Sequence, residues 1–237
     1  MTADPVDAAA VRAFGAARVA ILTRIDAAAT RAGRDPSGVT LVAVSKTVPG
    51  SRLRAAVAAG LDTLGENRVQ EAADKIPEVD GARWHLVGPL QANKARRAVE
   101  LFDVVESVGS LEIAQRLDRL VADVHGERRL PVLLQVNVDD DPSKAGFAPD
   151  ALEATLPELL ALPRLRVDGL MTIGRLVASP GEARATFRSL RERSETWRAR
   201  YPALGPALSM GMSEDFEVAV EEGATIVRIG RALFGER

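Results

Sequence analysis

This sequence predicts an α/β fold: a single closed (β/α)8 barrel, of the TIM barrel type, with an extra N-terminal helix. Three observations point there. Short apolar runs rich in β-branched residues alternate with helical segments along the whole chain. About eight such units fit into 237 residues, which suits eight parallel strands joined by right-handed crossovers. No internal repeat, low-complexity tract or Pro/Gly/Ser linker interrupts the chain, so residues 1–237 read as a single domain. An open doubly wound sheet is the rival, because it shares the alternation.

Val11, Phe14, Ala17, Ile21 and Ile25 recur at helical spacing and place a first helix over 5–32, ended by Gly33 and Asp35-Pro36. A buried strand follows over 39–44, then a helix over 51–59 closed by Gly60. The pattern continues with strand 61–64, helix 69–76, strand 84–87, helix 93–100 and strand 102–105. Ser110 is the expected N-cap of a helix over 111–124. Strand 130–138, helix 149–160, strand 165–173 and an Arg/Glu-rich helix over 181–200 come next. Strand 207–210 leads to a helix ending at Glu222, for which Ser213 is the expected cap; strand 224–229 and a short segment from Ala232 close the chain.

Composition narrows the chemistry. Thirty-one basic and 33 acidic residues give a net charge of −2, which makes no bulk case for nucleic acid or an anionic membrane. The absence of Cys excludes disulfides, thiolate metal sites and a Cys nucleophile, and two His are too few for most His-based metal sites. Asp4 and Asp7 stand where a secretory signal wants basic residues, and no stretch approaches the ~18 apolar residues of a membrane span. The expectation is a soluble, cytoplasmic protein, monomeric for want of an exposed apolar stripe.

Function in a barrel collects where strands end. Those positions read Lys46, Asn67, His85, Ser107, Asn137, Met171, Ser209 and Arg228, most of them polar. Parity puts Lys46 on the face of Val42 and Val44, the barrel interior. Desolvation and nearby cations lower a Lys pKa, and a neutral amine attacks carbonyl carbon, so Lys46 is a Schiff-base candidate. The plainer reading is a Lys that reaches solvent at the strand end. Arg228 interrupts an apolar strand and needs a partner. That partner is either a ligand atom or an internal carboxylate, with Glu66 and Glu217 the nearest choices.

Gly230-Arg231 and Ser209-Met210-Gly211-Met212-Ser213 end the eighth and seventh strands, where barrels commonly bind phosphate. Glu214 and Asp215, in the first turn of the next helix, would repel an anion there, so the phosphate is expected nearer Gly230-Arg231. Asn67, His85 and Asn137 can hydrogen-bond or flank a ring, though a lone His is as often a satisfied core residue. His125 before Gly126 reads as a dipole partner at a helix end. Asp139-Asp140-Asp141 followed by Pro142-Ser143 reads as a solvated turn rather than a metal site, and Arg184 to Arg200 as a solvated helix face.

Several of these stretches resemble one family. Val42-Ala43-Val44-Ser45-Lys46-Thr47, Gly65-Glu66-Asn67, Trp84-His85-Leu86-Val87-Gly88-Pro89-Leu90-Gln91-Ala92-Asn93-Lys94, Ser209-Met210-Gly211-Met212-Ser213, and Val227-Arg228-Ile229-Gly230 with Leu233-Phe234-Gly235 resemble the pyridoxal phosphate homeostasis proteins. The blocks occur in order across nearly the whole chain. The resemblance implies a fold similar to the N-terminal barrel of alanine racemase. It also implies binding of pyridoxal 5′-phosphate (PLP), with a role in holding and delivering PLP and in balancing vitamin B6 and amino-acid pools, without established turnover. PLP-dependent client enzymes are the implied partners. On this resemblance Lys46 forms the PLP aldimine. Ser209, Gly230 and the backbone of Arg231 hold the phosphate, Arg228 faces the pyridine nitrogen, and Asn67, Asn137, His85 and Met171 line the ring. Two positions depart from the pattern: Arg68 stands where many members have Tyr, and Arg231 where others have a small hydroxyl residue.

An Arg at the pyridine nitrogen keeps it unprotonated, which weakens the ring as an electron sink. The racemases that share the barrel take a catalytic Tyr from a second domain. Here the only Tyr, Tyr201, precedes the seventh strand, on the stability face, and the sequence ends directly after the eighth. An open, non-catalytic PLP site is therefore expected. A weak PLP-dependent racemase-like enzyme and a cofactor-free Schiff-base aldolase are the alternatives.

Overall fold

The computed structural model describes residues 6–174 and 179–235; the predicted helix start at Pro5 lies outside them. The chain begins with helix α1 (Ala8–Arg31), whose first turn is capped by the Asp7 carboxylate accepting from the Ala9 amide. Strand and helix then alternate: β1 (Thr40–Val44), α2 (Gly50–Ala58), β2 (Thr63–Glu66), α3 (Val69–Lys75), β3 (Arg83–Leu86), α4 (Ala95–Leu101), β4 (Val104–Val108) and α5 (Leu111–His125). The second half supplies β5 (Leu130–Gln135), α6 (Pro149–Leu160), β6 (Leu165–Met171), α7 (Arg184–Arg200), β7 (Ala207–Ser209), α8 (Phe216–Glu221), β8 (Ile226–Ile229) and the short α9 (Arg231–Phe234).

All eight strands are parallel and pair in chain order, with β1 closing on β8, so the sheet is a closed barrel and not the open alternative. Parity sorts each strand into two faces. Ala43, Leu64, Leu86, Val105, Val132, Leu134 and Leu170 are buried among the helices. Val42, Gly65, His85, Val104, Glu106, Met171, Ser209 and Arg228 form the inner face: a Cβ on Gly65 would lie 2.8 Å from Val42 Cγ1, and register pairs Gly65 with His85, His85 with Val104, Met171 with Ser209 and Val42 with Arg228. The inner face thus mixes small and apolar side chains with polar and charged ones. α1 packs against α2, α8 and α9, with Phe14 edge-to-face on Phe234.

Several boundaries differ from expectation. β2 runs to Glu66 rather than stopping at Leu64, because pairing with β3 starts only at Thr63–Arg83. β4 likewise lies two to three residues later than expected, and so carries Glu106 and Ser107 inside the sheet. Ser213 does not cap α8: Asp215 takes that position, and its carboxylate accepts from the Met212 amide at 2.6 Å. Ser110 caps α5 as expected, accepting from the Ile113 amide. His125 meets the Val99 carbonyl at 2.8 Å at the end of α5. The basic face of α7 is only partly solvated: Arg184, Arg188 and Arg191 all reach Glu222.

Candidate functional site

At the carboxyl ends of the strands the barrel opens into a cavity of about 820 Å³. Five of the nine predicted binding residues line it: Lys46, Asn67, Arg228, Gly230 and Arg231. A smaller hollow of about 440 Å³ lies beside the amino ends of β7 and β8, where Arg34, Arg191 and Arg198 face Glu195, Glu221 and Glu222. That end of a barrel serves stability.

Lys46 sits in a turn held from both sides. β1 ends at Val44, and the Ser45 hydroxyl donates to Glu66 Oε1 at 2.7 Å. Lys75 Nζ donates to the Ser45 carbonyl at 2.9 Å and to Glu66 Oε1 at 2.6 Å. On the far side the Thr47 amide donates to Glu71 Oε2 at 3.0 Å, and Glu71 also meets Lys75. Thr47 has φ +65°, a conformation a β-branched residue adopts only when its surroundings impose it. Between these anchors the Lys46 ammonium has no hydrogen-bond or ion-pair partner among the described residues, and it faces the cavity. Burial raises the Glu66 carboxyl above its ordinary range, opposed by Lys75 and Ser45.

Arg228 does not pair with Glu66 or Glu217, the two carboxylates expected for it. Glu66 is taken by Lys75, and Glu217 pairs with Arg24 of α1 at the edge of the cavity. Arg228 instead donates to Ser209 Oγ at 2.5 Å and to the Thr172 carbonyl at 2.7 Å. Burial lowers the guanidinium pKa, and the charges of Glu106 and Asp215 oppose that.

Glu106 is the residue that sequence reasoning missed. It is fully buried on the inner face of β4. One oxygen lies 2.6 Å from His85 Nδ1, and the other accepts from Ser209 Oγ at 2.5 Å. Burial alone would raise its pKa; the hydrogen bonds and charges of His85, Arg228 and Ser209 outweigh that and hold it below the ordinary value. The available signal was a lone carboxylate in Val104-Val105-Glu106-Ser107-Val108, at the parity of the barrel interior.

The remaining predicted residues lie beside or beneath the cavity. His85 is buried under it, Nδ1 on Glu106 and Nε2 without a partner among the described residues. Met171 is fully buried on the inner face of β6. The single proton of the Ser209 hydroxyl is committed to Glu106, so donation to a phosphate would require that bond to break. Asn137 closes its own loop: its amide donates to the Asp141 carbonyl at 2.9 Å, and its oxygen accepts from the Asp141 amide at 3.1 Å. In that loop the Asp141 carboxylate accepts from Ser143 and Asp139 accepts from Thr186, so the acidic run does not converge. Arg231 reaches Glu214 at 2.5 Å on the rim, and Arg68 is 79% exposed.

Comparison with known proteins identifies the family. Residues 18–237 match the family of alanine racemase N-terminal domains. The pyridoxal phosphate homeostasis protein of Pseudomonas aeruginosa is 47% identical over 220 residues, 92% of this chain and 93% of that protein. Its namesake from Escherichia coli K12 is 43% identical over 223 residues, 90% of this chain and 92% of that one. PipY of Synechococcus elongatus, solved with PLP bound, is 42% identical with a TM-score of 0.79, covering 91% of this chain and all of that one. An alanine racemase of Clostridium difficile, at 13% identity and a TM-score of 0.72, covers 98% of this chain and 61% of its own, and shares the fold alone. By sequence and by fold, this chain belongs to the alanine racemase N-terminal domain family and, within it, to the pyridoxal phosphate homeostasis proteins.

Proposed function

We propose that this chain binds PLP in the barrel mouth and holds it for PLP and amino-acid homeostasis, without turnover of its own. One observation carries the reading. Lys46 presents a primary amine with no partner among the described residues, from a turn clamped on both sides, into the cavity that Arg228 also lines. The lining fits the cofactor: Lys144 adds a cation suited to a phosphate, Arg24 and Arg231 stand beside it paired with Glu217 and Glu214, and the volume exceeds what the ring and phosphate need. When bound, the cofactor supplies an aldehyde that condenses reversibly with primary amines.

Lys46 would hold that aldehyde, Arg228 would face the pyridine nitrogen and Asn67 would flank the ring. The backbone of Gly230 and Arg231 would take the phosphate. His85, Met171 and Ser209 support this floor from below, and Asn137 shapes the adjoining loop. PipY, solved with PLP bound, supports the assignment. The whole chain would act as one domain, a cytoplasmic monomer that hands PLP to PLP-dependent enzymes. Among the described residues no helix is long and apolar enough to cross a membrane.

Turnover needs a second acid/base group over the ring. Tyr201 caps α7 under the Arg200 guanidinium, ahead of β7 and at the opposite end of the barrel from the cavity. A weak racemase-like enzyme is the second reading, favoured by the match of residues 18–237 to the alanine racemase N-terminal domains. The deciding experiment is an absorbance spectrum of the PLP-loaded protein with borohydride trapping and peptide mapping. A visible band, lost in Lys46→Ala, with label on Lys46, is expected. A protein that stays colourless with added PLP overturns the assignment. Solvent deuterium entering an amino acid's α-carbon faster than with free PLP favours the racemase reading.

A further inference from the structure

Beneath the cavity four buried side chains form one hydrogen-bonded chain: His85 Nδ1 on Glu106 Oε1, Ser209 Oγ donating to Glu106 Oε2, and Arg228 donating to Ser209 Oγ. Only the Arg228 end lines the cavity. A buried guanidinium is costly without an anion, yet its direct acceptors, Ser209 Oγ and the Thr172 carbonyl, are neutral. The fully buried anion is Glu106, one hydroxyl away. We propose that Glu106 is the positioning residue for Arg228: through Ser209 it sets the guanidinium at the cavity floor, where it meets the ring of the bound cofactor. This rests on the cavity being a PLP site.

The geometry explains why the carboxylate is not simply paired with Arg228. A direct ion pair would satisfy the guanidinium with one carboxylate and turn it toward β4. With Ser209 interposed, one Nη binds the hydroxyl and the other the Thr172 carbonyl. Two of the guanidinium's five N–H groups are thereby fixed, and others remain for a ligand acceptor. His85 anchors the second oxygen, so Glu106 cannot rotate to follow Arg228. Four buried groups on four strands (β3, β4, β7 and β8) then behave as one unit.

The test uses the full chain, loaded in parallel with PLP and with pyridoxal, which lacks the phosphate. Glu106→Gln keeps the shape and removes the charge; Ser209→Ala cuts the link and leaves both charges in place. Both variants are expected to lose retention about tenfold, the scale of one charged hydrogen bond. The loss should be equal for PLP and pyridoxal, and the absorbance band should move as it does in Arg228→Ala. Glu106→Asp, which keeps the charge, should recover part of the wild-type band position. A purely structural role would lower the apo melting temperature and leave the band in place. An unmoved band with wild-type retention in either variant overturns the proposal, as does a loss confined to PLP, or collapse of both apo proteins. If wild type takes no label at Lys46, the PLP reading fails and this proposal with it; wild-type labelling with unmoved variants overturns this proposal alone.

Discussion

Lys75 Nζ lies 2.6 Å from Glu66 Oε1, and this buried pair stands directly behind the turn that carries Lys46. The ammonium also holds the Ser45 carbonyl, so one cation ties together β1, β2 and α3. Removing it leaves Glu66 buried and uncompensated. Lys75→Met is expected to cost about 3–5 kcal/mol, the scale of breaking one half of a buried pair. Lys75→Met with Glu66→Leu should lose less than the single change. Urea unfolding of both variants checks this; equal losses would show that the charge of Glu66 is not what the lysine compensates.

Glu106 and Glu66 give pH dependences of opposite sign. The Glu106 carboxyl is held below its ordinary value of 4.5. Over the window between its folded value and 4.5, the unfolded chain binds the proton more readily. Its contribution is therefore complete above 4.5 and is lost as pH falls through the folded value. The Glu66 carboxyl is raised above 4.5 by burial, so its contribution is complete below 4.5 and is lost as pH rises through its folded value. Glu106→Gln should flatten the acid limb of the stability curve, and Glu66→Gln should leave that limb steep. Urea midpoints across the acid range are the measurement, and an acid limb unchanged in Glu106→Gln contradicts the assignment.

Lys46 and Arg228 were legible in the sequence because a charge inside an apolar run has few places to go, and parity sends both into the barrel. Glu106 is less legible: an apolar run over 102–105 predicts a strand that stops at Val105 and leaves the carboxylate in a loop. The same slip moved β2, where Gly65 and Glu66 do not look like strand residues and only pairing with β3 reveals them as such. Partners were less legible than positions. Nothing local shows that Glu66 belongs to Lys75, nine residues on, or that Arg228 reaches Ser209 on β7 and Thr172 just past β6. The family resemblance implies Asn137 at the ring, whereas in the structure it lies past the end of β5 and binds the backbone of its own turn at Asp141.

The arginines of α7 offer a third test. Arg184, Arg188 and Arg191 converge on Glu222, whose side chain is 7% exposed, and Arg184 also meets Glu221. The arginines keep 34–53% exposure and can return to water, so Glu222 is the group that needs the contacts. Glu222→Ala is expected to destabilise by about 2 kcal/mol, and Arg188→Ala, one of three redundant donors, by less than ~1 kcal/mol. Thermal unfolding of the two proteins compares them; a larger loss for Arg188→Ala would show that the network is not centred on Glu222.

Gly211 sets the last part of the cavity wall. Its φ is +89°, and a Cβ there would lie 2.5 Å from Ala219 Cβ and 2.9 Å from Phe216 Cα. Both contacts belong to α8, and the Gly211 carbonyl accepts from the Arg228 amide at 3.0 Å. A methyl group at 211 must therefore push the start of α8 away from β8, displacing Met212, Ser213 and Asp215 at the cavity rim. Strain at a positive φ adds to the overpacking, and together they should cost Gly211→Ala about 2–4 kcal/mol. The displaced rim carries Glu214, the partner of Arg231, so the change reaches the Gly230-Arg231 backbone where the phosphate would sit, in contrast to a change at Glu106. Retention of PLP should fall more than that of pyridoxal, and dialysis followed by absorbance of the retained cofactor measures both. Equal losses for the two ligands would show that the 211–215 turn does not bear on the phosphate end of the site.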